Sequence, residues 1–165
     1  MRGLPGAGKT SLVQGGNTLK IIDPDNIKIE GISDSKFGLA QIKYKHNLRE
    51  ALLCIQNNAS FIWCQPWSKI WGIDVTIENI NQLTKSIHTP IIISVIAPVK
   101  DCYERYISRQ KSLNREYLNL EEYKEKYIDK FEPIPSIYHS HHIISNILLE
   151  NAKKEFESLI TFHIS

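Results

Sequence analysis

Residues 3–10 read Gly-Leu-Pro-Gly-Ala-Gly-Lys-Thr and complete the G-x-x-x-x-G-K-T pattern of a phosphate-binding loop. This feature constrains the fold most, because such a loop joins a β-strand to a helix in an α/β domain. Its glycines let backbone N–H groups converge on phosphate oxygens without side chains in the way. The residues expected to bind a nucleotide are Gly3, Gly6, Ala7, Gly8, Lys9, Thr10 and Ser11.

Two side chains of the loop have separate expected roles. Lys9 places a cation on the β- and γ-phosphates, and Thr10 offers its hydroxyl to Mg²⁺. The helix predicted to start near Lys9 adds the positive end of its dipole. An ordinary glycine-rich turn is the alternative, but the helical pattern of residues 10–14 directly after the loop favours a phosphate site.

Only Met1 and Arg2 precede the loop. A phosphate-binding loop normally follows a buried strand of about five residues. We therefore expect that the first strand is truncated in this sequence and that the natural protein begins some residues earlier.

The rest of the chain alternates predicted strands and helices. Strands are predicted over 19–22, 60–64, 90–96 and 142–144, and helices over 10–14, 35–57, 73–87, 99–112, 120–131 and 152–160. Asp74 is the expected N-cap of the third helix. This alternation predicts one doubly wound α/β domain with a parallel sheet over residues 1–165, and a ligand at the carboxyl ends of its strands.

Two carboxylates, Asp23 and Asp25, directly follow the predicted strand 19–22. They should therefore face the ligand crevice. A carboxylate there can accept a proton from an attacking hydroxyl and can order the waters of Mg²⁺. Asp-Pro-Asp-Asn is also favourable turn chemistry, so a purely structural role is the alternative for each.

The loop together with residues 22–28, Ile-Asp-Pro-Asp-Asn-Ile-Lys, resembles the zeta-toxin-like and polynucleotide-kinase-like branch of P-loop kinases. Those proteins pair a G-x-P-G-[S/A]-G-K-[S/T] loop with an Asp-x-x-Arg/Lys element after the second strand. The resemblance implies a P-loop NTPase fold of the nucleotide-kinase type, with Asp25 as the catalytic base and Lys28 as a basic residue near the substrate. Arg49 falls on the helix where the family often has a substrate-binding basic residue.

Two arginines one turn apart, Arg105 and Arg109, follow the predicted strand 90–96. Phosphoryl transfer spreads negative charge over the moving group, and a positioned arginine stabilises that charge. The resemblance assigns Arg105 to the γ-phosphate, with Arg109 or Arg115 as a second lid cation. Pairing with glutamates on a solvated helix is the alternative. We expect residues from about 100 to 131 to form a helical lid with few buried contacts.

Composition separates the remaining functional classes. The chain has 165 residues, 42% of them hydrophobic, and a net charge of +2 without a basic block, so nucleic acid is a possible but not a favoured partner. No apolar run has the length of a membrane span or the pattern of a signal peptide, and the three cysteines form no C-x-x-C pair. We expect a cytoplasmic protein without a membrane partner, and the pattern leaves any protein partner open.

These observations predict an ATP-dependent kinase that uses Mg²⁺ and phosphorylates a hydroxyl of a small molecule, such as a nucleotide sugar or a nucleoside-like compound. A polynucleotide 5′-hydroxyl kinase is one alternative, against which the scattered basic residues count. A nucleotide-binding module without turnover is the other. Gln65 favours it, because it ends strand 60–64 where the resembling kinases often have an acid. Mg²⁺ would then rest on Thr10, the phosphates, and Asp23 or Asp25.

Overall fold

The computed structural model describes residues 1–14, 19–27 and 36–164. The helices in these ranges are α1 (Lys9–Val13), α2 (Lys36–Gln56), α3 (Ile70–Thr84), α4 (Val99–Ser112), α5 (Leu120–Tyr123) and α6 (Leu149–Ile164). The strands are β1 (Lys20–Ile22), β2 (Phe61–Trp63), β3 (Ile92–Ile96) and β4 (His141–Ser145). A 3-10 turn spans Pro24–Asn26, and a turn of π-helix over Lys124–Ile128 continues α5. Within these ranges, no helix combines the length and the apolarity needed to cross a bilayer.

The strands form two parallel pairs, which confirms the predicted α/β class. Lys20 is opposite Phe61 in the β1–β2 pair, and Ile92 is opposite His141 in the β3–β4 pair. Residues 1–3 run between the two pairs. The nitrogen of Met1 donates to Trp63 O at 2.7 Å, and the nitrogen of Arg2 donates to Ile93 O at 2.7 Å. The predicted phosphate-binding loop therefore begins between the carboxyl ends of β2 and β3.

Successive residues of β2 belong to two different hydrophobic clusters. Ile62 lies in the larger cluster, to which α1, α4, α5, β3, β4 and α6 also contribute. Trp63 lies in the smaller cluster with Ile22 of β1 and Ala51 of α2. Because successive side chains of a strand point to opposite faces, the two clusters cover the two faces of β2.

Residues 100–131 are tied to the core at a few positions. Cys102 and Tyr123 are fully buried, and Tyr106 is nearly so. The rings of Tyr103, Tyr106, Tyr123 and Tyr127 pack together with centroids 5.2–6.4 Å apart. These few buried positions and the tyrosine cluster tie the segment to the core, whereas most of its other residues are exposed or half-buried.

Helix α3 begins earlier than predicted, and Asp74 is not its N-cap. Asp74 lies inside the helix and accepts a hydrogen bond from the hydroxyl of Tyr138. Glu132 instead accepts the hydrogen bond of a backbone N–H at the start of the helix. Its carboxylate accepts from the nitrogen of Ile70 at 2.8 Å and pairs with Lys69 at 2.8 Å, and both contacts lower its pKa. A cap supplied from 62 residues away leaves no local sequence signal.

Candidate functional site

The loop of residues 3–10 follows the path that a phosphate-binding loop requires. Gly6 and Gly8 have φ of 85° and 88°, a left-handed conformation that side chains disfavour. A Cβ at Gly6 would also overlap the carbonyl of Cys102, and one at Gly8 would overlap the side-chain amide of Asn146. Both glycines are therefore needed for the backbone to lie this close to α4 and to the end of β4.

Lys9 places its ammonium inside the curve of the loop. Its Nζ donates to Gly3 O at 2.8 Å and to Leu4 O at 3.1 Å. Burial lowers the pKa of Lys9 to about 8, against the opposing effect of nearby Cys64, Asp23 and Asp25. Since α1 has only five residues, its dipole is short, and the loop N–H groups and Lys9 are the main attraction for an anion.

Thr10 and Asp23 bring two oxygen donors together beside the loop. The Thr10 hydroxyl donates to Asp23 Oδ2 at 3.1 Å, and the Asp23 side chain is buried. The other carboxylate oxygen accepts from the nitrogen of Asp25 at 2.8 Å and caps the Pro24–Asn26 turn. A hydroxyl and a carboxylate are the hard oxygen ligands that Mg²⁺ prefers, so this pair fits the predicted metal site.

The two arginines of α4 reach different parts of the site. Arg109 forms an ion pair with Asp25, with Nη2 2.5 Å from Oδ2. Arg105 lies nearer the loop, and its Nη1 is 3.4 Å from Gly6 O. The shared helix face thus faces the loop and the carboxylates, whereas Glu104 of the same helix pairs with Lys100.

The remaining predicted residues lie further from this centre. Ser11, Arg49 and Arg115 are exposed, and no hydrogen bond within the described residues joins them to the loop or to the carboxylates. Lys28 lies outside the described residues. Sequence reasoning missed Lys43 of α2. Its Nζ donates to the backbone oxygen of Pro24 at 2.7 Å, between the two aspartates.

Sequence reasoning also missed two residues that grip the loop. The hydroxyl of Tyr123 donates to Pro5 O at 2.6 Å, and Nδ2 of Asn146 donates to Ala7 O at 2.7 Å. Asn146 could have been found, because it lies two positions after the predicted strand 142–144, near its carboxyl end, as Asp23 lies at the end of strand 19–22. Tyr123 gives no such signal, since it reads as one apolar position of a helix.

An apolar cavity of about 420 Å³ lies away from this centre. It is lined by Met1 and Arg2, by β2 and the amino end of β3, and by parts of α3 and α6. None of residues 3–10 lines it, nor do Asp23 and Asp25. The chemistry-bearing residues therefore lie outside this cavity. Asp23 and Asn146 directly follow β1 and β4, at the carboxyl ends where α/β domains generally place ligands.

Comparison with known proteins relates this fold to kinases. No protein-family model and no curated protein matches the chain. A solved structure of a provisionally assigned kinase from Chloroflexus aurantiacus matches with a TM-score of 0.73 and 17% identity, over 94% of this chain and 95% of that one. A sugar kinase from a Janibacter species, solved without ligand, matches with a TM-score of 0.62 and 13% identity, over 97% of this chain and 91% of that one. At these identities the likeness shows a shared fold.

Proposed function

We propose that this chain is an ATP-dependent phosphotransferase that moves the γ-phosphoryl group of ATP to a hydroxyl of a small molecule. The observation that carries the proposal is the meeting of Thr10, Asp23 and Asp25, with Arg109 of α4 paired to the last. A phosphate loop, a pair of carboxylates and an arginine are the parts that phosphoryl transfer needs. The fold shared with two proteins described as kinases supports the same class. We place this chain among the doubly wound P-loop NTPases, in the zeta-toxin-like and polynucleotide-kinase-like branch.

In this proposal the triphosphate lies against loop N–H groups such as those of Gly6 and Gly8, and Lys9 exchanges two loop carbonyls for phosphate oxygens. Thr10 and Asp23 would hold Mg²⁺, whose charge would offset that of the phosphates. The Thr10–Asp23 hydrogen bond already brings the two ligand oxygens within 3.1 Å of each other.

Asp25 would act as the catalytic base. Its side chain is 55% exposed, so an acceptor can reach it. As the acceptor oxygen bonds to the γ-phosphorus, its proton passes to Asp25, the bond between the γ-phosphorus and the bridging oxygen breaks, and ADP leaves. Arg109 and Arg105 would stabilise the charge on the moving group, since both reach this side of α4.

We keep the lid of residues 100–131 as a proposal. Because Cys102, Tyr106 and Tyr123 anchor this segment in the core, its motion would be confined to the exposed turn 113–118, which carries Arg115, and to the side chains of the other two arginines. Lys28 and Arg49 stay proposed contacts of the acceptor.

Nucleotide binding without turnover is the second candidate function. Gln65 favours it, because this residue lies just beyond β2, and its amide accepts from Trp63 Nε1 at 3.1 Å and supplies no charge for a metal.

The two candidates are separated by measuring ADP and phosphorylated product by mass spectrometry, with ATP, Mg²⁺ and a panel of small hydroxyl compounds. We expect Asp25→Asn to keep the ATP affinity within about threefold and to lose transfer, since only the base is removed. Asp129→Asn removes an exposed acid outside the site and is the matched control. Undiminished transfer by Asp25→Asn would exclude Asp25 from the mechanism. ATP binding by the wild type without transfer to any compound would favour the binding module.

A further inference from the structure

Every carbonyl of the loop from Gly3 to Ala7 accepts a hydrogen bond from a side chain. Lys9 donates to the first two of these carbonyls. The next three accept from three separate elements: Pro5 O from Tyr123 at 2.6 Å, Gly6 O from Arg105 at 3.4 Å, and Ala7 O from Asn146 at 2.7 Å. The loop is therefore held from its carbonyl side by α4, α5 and the residue after β4.

The N–H groups of the same peptides divide into two kinds. In a trans peptide, the carbonyl of one residue and the N–H of the next point in opposite directions. Ala7 N–H, opposite Gly6 O, bonds to Leu4 O within the loop. Gly6 N–H and Gly8 N–H are opposite the carbonyls that Tyr123 and Asn146 hold, and neither donates to any residue in the part of the chain that the structure describes. Two unengaged N–H groups thus lie on the peptides that these two side chains grip.

Both gripping side chains are themselves fixed. Tyr123 is fully buried, its ring packs against three other tyrosines, and burial raises the pKa of its phenol, so the hydroxyl remains a donor. Asn146 is 2% exposed, and its backbone nitrogen donates to Ile96 O of β3 at 2.7 Å. Rotation of either peptide would leave a buried donor without its partner, which is costly.

We propose that Tyr123 and Asn146 are positioning residues that set the affinity of the loop for a polyphosphate. They do so by turning the N–H groups of Gly6 and Gly8 toward the anion before it binds. Such pre-organisation removes part of the ordering cost of binding. The inference rests on the proposed nucleotide site, and inorganic tripolyphosphate is the direct probe because it carries no base or sugar.

The test compares two loop-gripping variants with two matched controls. Tyr123→Phe and Asn146→Leu each remove one donor to the loop without adding charge. Tyr103→Phe removes a hydroxyl of the same tyrosine cluster that donates to Leu118 O at 3.2 Å, and Asn57→Leu removes an amide that donates to Leu53 O at 2.8 Å. Calorimetry gives the Kd of tripolyphosphate and of ATP, and thermal unfolding gives the Tm of each variant.

We expect each loop-gripping variant to weaken both ligands roughly threefold to tenfold, as the loss of one hydrogen bond would. The controls should bind both ligands with a Kd within about twofold of the wild-type value, even where their Tm falls as much as that of the loop-gripping variants. Where transfer is measurable, KM for ATP should rise while kcat stays within about twofold of the wild-type value. Tyr123 and Asn146 hold the loop peptides that bind the nucleotide and do not contact the reacting atoms.

The outcomes separate this inference from the function on which it rests. A wild type that binds neither ligand overturns the proposed function. A wild type that binds both, with a folded loop-gripping variant that binds equally well, overturns the inference alone. Equal weakening in the controls also overturns it, because the effect would then be a general loss of stability. Either loop-gripping variant decides the question if the other does not fold.

Discussion

Lys9 should take up a proton when a polyphosphate binds, and the amount should depend steeply on pH. Burial holds the pKa of this ammonium at about 8 in the free protein, against an ordinary value of 10.5. Phosphate charges in contact with it favour the protonated form and should return the pKa to its ordinary range or above. The proton that the free protein has lost above pH 8 must then be regained from the buffer.

The expected uptake follows from the two pKa values. At pH 9 the free ammonium is mostly deprotonated and the bound one is not, which gives about 0.9 proton per ligand. At pH 7 both forms are largely protonated and the uptake is about 0.1 proton. Affinity should accordingly fall above pH 8, by up to roughly tenfold per pH unit. The stability of the free protein should change in the opposite direction. Between pH 8 and 10.5 Lys9 is more protonated in the unfolded chain than in the folded one, so the free energy of unfolding rises with pH.

Calorimetry in buffers of different ionisation enthalpy measures the proton count directly. Lys9→Arg is the matched control, because a guanidinium keeps its charge throughout this range and should take up no proton. Equal uptake at pH 7 and pH 9, or the same uptake in Lys9→Arg as in the wild type, would refute the assignment of Lys9 to the phosphates.

Three further results are expected. Thr10→Val should abolish the difference in ATP affinity between Mg²⁺ and EDTA that the wild type shows, whereas Ser11→Ala should preserve it; calorimetry in both solutions decides. Glu132→Gln should lower the urea midpoint at pH 7, and its difference from the wild type should shrink as pH falls below 4.5, because the lowered pKa of Glu132 stabilises the fold only while the carboxylate is ionised. In hydrogen exchange, a non-hydrolysable ATP analogue should increase the protection of the exposed turn 113–118 within the proposed lid. If that turn already exchanges as slowly as Ile92–Ile96 without the analogue, no lid exists.

The parts of the site that could be predicted from sequence are those set by local chemistry. The loop glycines are required by their own backbone conformation, and Asp23 and Asp25 follow from the rule that ligands lie at the carboxyl ends of strands. The α/β class follows equally from the alternation of strands and helices.

The parts that could not be predicted depend on contacts between distant residues. The sequence marks Asp25 and Arg109 separately, but their ion pair spans 84 positions. The cap of α3 comes from Glu132, so the local candidate Asp74 was wrong. The packing of residues 100–131 depends on tyrosines, whose hydroxyls make a buried face look polar in a hydropathy pattern.

The grip on the loop has a consequence for synthesis on the ribosome. The loop is made well before the residues that grip it, because Tyr123 and Asn146 follow their carbonyl partners by 118 and 139 positions. At about 5–20 residues per second, the last of these contacts becomes available roughly 7–28 seconds after the loop itself. A nascent chain should therefore carry the complete phosphate-binding motif, and yet bind a polyphosphate weakly, until Asn146 has been translated.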